Sequence, residues 1–303
     1  MAEHVVILDG GMGRELARIG APFRQPEWSA LALMESPAHV RQVHDSFIAA
    51  GAQVITSNSY AVVPFHVGDA VFAARGAALA SLAGELARQA ADAAPHAVRV
   101  AGSLPPVLGS YRPDLFDAAA ATPILNTLIN ALSPYVDVWL AETQSAVAEV
   151  ALVRELLADD PRELWLSFTL QDELDANGNA RLRSGESVSD AAAAALRLKA
   201  ANLLFNCSRP EVMASAVAQA RAHFGEQAGA PGVGVYANAF EPEDNQRGAN
   251  EGLSQLRTDT HPQGYLQWAQ EWVAQGATLV GGCCGIGPEH IARLAQAFSR
   301  HDG

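Results

Sequence analysis

Thr278-Leu279-Val280-Gly281-Gly282-Cys283-Cys284-Gly285-Ile286-Gly287-Pro288-Glu289-His290 compresses a strand, a loop and a helix start into one stretch near the C-terminal end of a 303-residue chain. The apolar run is short and continuous, as in strands buried on both faces of a parallel sheet. Gly287-Pro288-Glu289 opens a helix, because Pro suits the first helical position and an acidic first turn suits the dipole. Between them, two adjacent cysteines sit in a bed of glycines. Neighbouring side chains of a regular strand point to opposite faces, so both sulfurs can reach one point only if the chain bends there. The glycines permit that bend.

The same grammar recurs along the chain. Val5-Val6-Ile7-Leu8 runs into Asp9-Gly10-Gly11-Met12-Gly13, and Val54-Ile55-Thr56 turns abruptly polar at Ser57-Asn58-Ser59-Tyr60. Val98-Arg99-Val100-Ala101-Gly102-Ser103 precedes a loop rich in Pro and Gly. Val136-Asp137-Val138-Trp139-Leu140-Ala141 ends in Glu142-Thr143-Gln144, and Leu164-Trp165-Leu166-Ser167-Phe168-Thr169 follows. Asn202-Leu203-Leu204-Phe205-Asn206-Cys207 and Val233-Gly234-Val235-Tyr236-Ala237-Asn238 complete a set of eight with the stretch quoted first. Helical patterns lie between them, one with Ser36 as N-cap, Pro37 in the first turn, Val40, Val43 and Phe47 on one face, and Gly51 as the stop. Two junctions share wording, Ala50-Gly51-Ala52-Gln53-Val54-Ile55 and Gln275-Gly276-Ala277-Thr278-Leu279-Val280, consistent with repeated units. Eight strands alternating with helices predict a single (β/α)8 TIM barrel, residues 1–303, in one domain. A doubly wound open sheet has the same local grammar. The polar residues 241–260 read as a loop inserted after the seventh strand, of the kind that often serves as a lid.

At 49% hydrophobic residues the chain can bury a core of barrel size. No uninterrupted apolar run is long enough to cross a bilayer, and Met1-Ala2-Glu3-His4 lacks the parts of a signal peptide, so a cytoplasmic, non-membrane protein is expected. The net charge of −13 argues against nucleic acid or acidic lipid as a partner. Three cysteines, an odd and low count, fit reduced thiols better than a disulfide framework.

Barrel active sites sit at the C-terminal ends of the strands. Those ends carry Asp9, Ser57, Asn58, Glu142, Cys207, Asn238 and the pair Cys283 and Cys284, so every thiol in the chain is expected at one mouth. Structural zinc is closed by four ligands, commonly with CxxC spacing; three soft ligands and an open position are the catalytic pattern. Three thiolates suit a metal that carries a fourth thiolate, because a metal-bound thiol ionises at neutral pH whereas a free one titrates near about 8.5. Asp9 and Glu142 would suit the ammonium group of an amino-acid thiol. Plainer readings stand beside these. Adjacent cysteines can be small core hydrophobes, the glycine-rich turn can bind phosphate, Asp9 can be a turn residue and Glu142 a helix-start carboxylate. Tyr60, Trp28 and Trp139 read as core or lid aromatics, and His44 and His290 as surface or packing residues. No HExxH pair points to a zinc hydrolase.

Asp9-Gly10-Gly11-Met12-Gly13, residues 44–60, Glu142-Thr143-Gln144, Asn206-Cys207-Ser208 and Gly281-Gly282-Cys283-Cys284-Gly285, in this order and over nearly the whole chain, resemble the homocysteine S-methyltransferase family. The resemblance implies a barrel with zinc (Zn2+) held by Cys207, Cys283 and Cys284 and homocysteine thiolate as the fourth ligand. It implies a substrate-binding set of Asp9, Gly10, Gly11, Ser57, Asn58, Tyr60, Glu142 and Asn238, with the amino group near Asp9 and Glu142. The implied activity moves a methyl group from a sulfonium donor, S-methylmethionine before S-adenosylmethionine, to homocysteine, giving methionine. No catalytic side chain is implied beyond the activated thiolate. The sequence departs from the family after the second strand, at Thr56-Ser57-Asn58-Ser59-Tyr60-Ala61, and after the seventh, at Tyr236-Ala237-Asn238-Ala239-Phe240. Both lie where the donor is expected. Betaine as donor, another thiol or selenol as acceptor, a phosphorylated substrate, and a non-catalytic zinc- or thiol-binding barrel remain the alternatives.

Overall fold

The structure, a computed structural model, describes residues 5–240 and 256–298. All eight apolar runs form strands: β1 (Val6–Ile7), β2 (Val54–Thr56), β3 (Arg99–Leu104), β4 (Val138–Gln144), β5 (Glu163–Phe168), β6 (Asn202–Asn206), β7 (Gly232–Tyr236) and β8 (Leu279–Val280). They pair in parallel in the order β1-β8-β7-β6-β5-β4-β3-β2. The two outer strands meet through a parallel Leu8–Val54 bridge. Gln53 N donates to the Ile7 carbonyl at 2.8 Å and Asp9 N to that of Val54 at 3.0 Å. That contact curls the sheet round on itself, and an open doubly wound sheet is ruled out.

The first half of the chain supplies helices α1 (Met12–Arg18), α2 (Ser29–Glu35), α3 (Pro37–Ala49), α4 (Pro64–Val67), α5 (Asp69–Asp92) and α6 (Ala118–Leu132). The second half adds α7 (Val147–Leu156), α8 (Val188–Arg197), α9 (Pro210–Phe224), α10 (Pro262–Ala274) and α11 (Pro288–Phe298). Pro37 and Pro288 each stand at the first helical position. Ser36 does not cap its helix; its hydroxyl bonds to His39 Nδ1 at 2.6 Å. By length and composition α5 is apolar enough to cross a bilayer, which the sequence reading did not anticipate. In the barrel its alanine and leucine face is buried.

Strand parity divides the core. Outward residues such as Leu164, Leu166, Leu203, Phe205, Val233 and Val235 join the large cluster beneath the helices. Leu8, Val54, Ala101, Val138, Leu140, Trp165, Leu204, Tyr236 and Leu279 form a second cluster inside the barrel. Filling the barrel with side chains makes it a plug rather than a channel, so a ligand meets it only at an end. Most of the lid expected over residues 241–260 lies outside the described residues. Its far end returns at Leu256, which bridges antiparallel to Phe240.

Candidate active site

The inward parity that places Val138, Leu140, Trp165, Leu204 and Tyr236 inside the barrel turns polar at the top of the strands. Two residues after Ala101 comes Ser103, two after Leu140 comes Glu142, two after Trp165 comes Ser167, and two after Leu204 comes Asn206. Ser103, Ser167 and Asn206 are wholly buried, and Glu142 is half-buried. Glu142 therefore lies within a strand and not at a helix start, and its Oε2 accepts the Ser103 hydroxyl at 2.6 Å. Burial raises its carboxyl above the usual range, and the Ser103 bond holds the rise back.

Asp9 is buried just past β1 and ties that strand end to β2. Its Oδ2 accepts Thr56 N at 2.7 Å and its Oδ1 accepts the Thr56 hydroxyl at 3.2 Å. Burial pushes its carboxyl up to about 8 against these bonds, and the charge of Glu142 adds to the rise. Both carboxyls at the mouth are therefore raised, each chiefly by burial.

The three cysteines arrive from two strand ends. Cys207 follows β6 with φ +48, and its N–H donates to the Tyr236 carbonyl at 3.2 Å. Cys283 N–H donates to the Ala237 carbonyl at 2.9 Å, and the Cys284 carbonyl accepts Ala239 N–H at 2.9 Å. The sulfurs all lie within 4.8 Å of one another. Cys207 and Cys283 are joined as a disulfide and Cys284 is a free thiol, which corrects the expectation of three reduced cysteines. Proximity explains the bond: two thiols brought to one point by the fold are also placed to oxidise. Burial pushes the Cys284 thiol up to about 11, with Arg14 pulling it back. Zinc with Zn–S bonds of about 2.3 Å in a tetrahedron sets its sulfur ligands roughly 3.8 Å apart. Cys283 and Cys284 Sγ stand 4.0 Å apart. Once reduced, the donor set fits a soft divalent metal in charge, softness and spacing.

Gly10 and Gly11 are explained by the approach of the cysteine loop. A Cβ on Gly11 would lie 2.4 Å from the Cys283 carbonyl oxygen, and one on Gly10 would lie 2.3 Å from that of Ile286. Ser57 and Asn58 face the surrounding scaffold. The Ser57 hydroxyl accepts Ser103 N at 3.1 Å and bonds to the Ser59 hydroxyl, and Asn58 Nδ2 donates to the Ser29 carbonyl at 3.1 Å. Tyr60 bonds to the Ser110 hydroxyl at 2.7 Å, and burial raises its phenol, with Tyr111 and Glu142 adding their charges. Asn238 is half-exposed beyond β7, and its Oδ1 accepts Phe240 N at 3.3 Å. His44 is fully buried in α3. His290 Nδ1 accepts Gly287 N at 3.2 Å. That bond occupies an amide a phosphate at this helix start would use, so the glycine-rich turn serves the cysteines and the helix cap.

Residues that the sequence reading passed over complete the mouth. Thr143 holds a positive φ of +57 in β4, a conformation that β-branched side chains avoid. Asn206 clamps it: Oδ1 accepts Thr143 N at 3.2 Å while Nδ2 donates to the Thr143 hydroxyl at 2.7 Å. The Tyr236 hydroxyl is buried without a hydrogen-bond partner among the described residues. Counting by twos from Gly234 would have found it. A cavity of about 510 Å³ opens at the opposite end of the barrel, lined by Arg99, Glu163, Trp165 and Asn202. Arg99 there pairs with Glu163 at 2.9 Å, and Glu163 also accepts Trp165 Nε1 at 3.0 Å.

A family model described as homocysteine S-methyltransferase matches residues 6–298. A homocysteine S-methyltransferase of Escherichia coli (strain K12) is 32% identical, with 96% of this chain and 94% of the relative covered. A selenocysteine methyltransferase of Astragalus bisulcatus is 25% identical, covering 98% and 94%. Among solved structures, the metallated form of the homocysteine methyltransferase MmuM from Escherichia coli superposes with a TM-score of 0.76 at 28% identity, covering 97% of this chain and 96% of that one.

Proposed function

Because the chain belongs to the homocysteine S-methyltransferase family, we propose that it moves a methyl group from a sulfonium donor to the thiolate of homocysteine, giving methionine. S-methylmethionine is the first donor to test and S-adenosylmethionine the second. The observation that carries the reading is the convergence of three cysteine sulfurs within 4.8 Å at the mouth that also holds the buried Asp9 and the half-buried Glu142. Cys207, Cys283 and Cys284 would hold zinc, which when bound supplies a Lewis acid that keeps a thiol ionised at neutral pH.

Asp9 and Glu142 take the substrate's ammonium group. A cation between them relieves two carboxylates that burial otherwise drives toward protonation. The packed barrel interior below closes the site to water from beneath. With the amino end held, the sulfur attacks the methyl carbon as the donor's sulfonium S–C bond breaks. The electron pair of that bond stays on the departing sulfur, which leaves as a neutral thioether. No proton is needed, so the site contributes position and an ionised nucleophile rather than acid–base groups.

The test begins with elemental analysis of freshly reduced protein and thiol counting before and after chelation. About one zinc per chain, protecting all three thiols, is the expected result, followed by methionine formation in a donor screen. Cys283→Ala should lose zinc and turnover together; a variant with stoichiometric zinc and full turnover overturns the assignment. The relative named as a selenocysteine methyltransferase favours a second acceptor of the same chemistry, a selenol amino acid. Competition between homocysteine and selenocysteine for one donor ranks the two.

A further inference from the structure

An ammonium group carries three N–H donors, and the two carboxyls at the mouth account for two of its sides. Tyr236 stands at the last position of β7 with its side chain inside the barrel, 6% exposed. Its backbone carbonyl receives Cys207 N–H, so the residue is anchored at the cysteine end of the site. Its hydroxyl has no partner in hydrogen-bond geometry among the described residues, while Glu142 and Ser167 stand near enough to act on it and the charge of Asp9 also reaches it. Below it the inward cluster is apolar, built from Leu140, Trp165, Leu204 and Leu279. Packing alone would be served by phenylalanine. A buried hydroxyl left without a partner is destabilising, and such groups are rare in folded proteins.

We propose that the Tyr236 hydroxyl is the third acceptor for the substrate's ammonium group, closing with Asp9 and Glu142 a three-sided ammonium site. This rests on the amino-acid thiol reading above. A hydroxyl can accept an N–H while turning its own proton to a neighbour. Ser167 offers one, because its Oγ donates to Asn206 Oδ1 at 2.7 Å and keeps a lone pair. Two flanking carboxyls disfavour the alternative occupant, the substrate carboxylate, and favour a cation.

The experiment compares wild type with Tyr236→Phe, reduced and zinc-loaded, by calorimetric binding of L-homocysteine and of 4-sulfanylbutanoate, which keeps the thiol and carboxylate and lacks the amino group. Loss of one hydrogen bond to a charged group should weaken homocysteine binding by roughly 10- to 100-fold. Binding of 4-sulfanylbutanoate should stay within about twofold, because the group it lacks is the one the hydroxyl meets. The ligand-free variant should unfold at or above the wild-type temperature, since the removed hydroxyl has no partner to leave behind. Equal weakening for both thiols, or homocysteine binding unchanged by the substitution, overturns the proposal. A wild type that binds homocysteine no better than 4-sulfanylbutanoate overturns the amino-acid reading itself, and the assignment of Tyr236 with it.

Discussion

Gly11→Ala tests the link between the first strand and the cysteine loop. The new Cβ would lie 2.4 Å from the Cys283 carbonyl oxygen, 2.9 Å from its carbonyl carbon and 3.1 Å from Cys284 Cα. All three are backbone atoms, so no side chain can rotate away. A carbon and an oxygen settle at no less than roughly 3.2 Å, so the loop must withdraw by about 0.8 Å, an overpacking distortion that costs about 1–3 kcal/mol. That displacement exceeds the tolerance of about 0.2 Å on metal–ligand distances. Zinc affinity, measured by chelator competition on the reduced protein, should fall at least tenfold, a change of the size seen when support for metal ligands is lost. Gly20→Ala is the control. Gly20 has φ +81 with nothing within 4 Å of an added Cβ. That substitution should destabilise by about 1 kcal/mol through its backbone alone and leave zinc affinity unchanged. Wild-type zinc affinity in Gly11→Ala would refute the idea that this glycine exists to let the cysteine loop approach.

Two further outcomes follow from the same geometry. Asp9 has a folded pKa of about 8 against an ordinary 3.8, so between these values the folded state holds a proton that the unfolded state has lost. Stability then falls as pH rises. His44, lowered to about 3 by burial, acts in the opposite direction, but mainly below the ordinary histidine value of 6.5, and Glu149, raised by burial to about 7, adds to the fall near pH 7. Between pH 7 and 8 the ligand-free, chelated protein should therefore lose about 1 kcal/mol of unfolding free energy per pH unit, and saturating homocysteine should flatten the slope. Urea titrations across that range check it, and a flat or rising profile without ligand counts against a protonated Asp9. Tyr265→Phe removes a hydroxyl that donates to the Gly281 carbonyl at 2.7 Å and lies 3.3 Å from that of Ala237. Calorimetric unfolding should show a loss of about 1–2 kcal/mol, and an unchanged transition would mean that these carbonyls find other donors.

The barrel was legible because its strands are buried on both faces, so most appear as short, largely apolar runs such as Leu203-Leu204-Phe205. The mouth was legible because those runs end in abrupt polarity, at Asp9, Glu142, Cys207 and Cys283. Less legible was which way a side chain faces once the strand has ended. Ser57 and Asn58 follow β2 and spend their hydrogen bonds on Ser103, Ser59 and Ser29, a result of loop geometry that no strand period encodes. Tyr236 reads as one more apolar strand residue, and only parity within β7 together with its unpartnered hydroxyl sets it apart. The Cys207–Cys283 bond depends on two loops meeting across 76 residues of sequence. Distances of that kind are absent from any local pattern.

The junction of β1 and β8 serves both ends of the proposed substrate site. The Asp9 backbone carbonyl accepts Gly282 N at 3.0 Å, and Gly11 N donates to the Ile286 carbonyl at 2.9 Å. Between those two bonds lie Cys283 and Cys284 on one strand end, and Asp9 begins the other. On the far side of the mouth, Glu142 is set by the parity of β4, and Asn206 pins the strained Thr143 beside it. The strand ends that carry the carboxyls and the sulfurs are thus tied by backbone hydrogen bonds at the β1–β8 junction and by side-chain bonds at β4. On the function proposed above, the amino group and the sulfur or selenium of one substrate would be held by two strand ends, β1 and β8, that are bonded directly to each other.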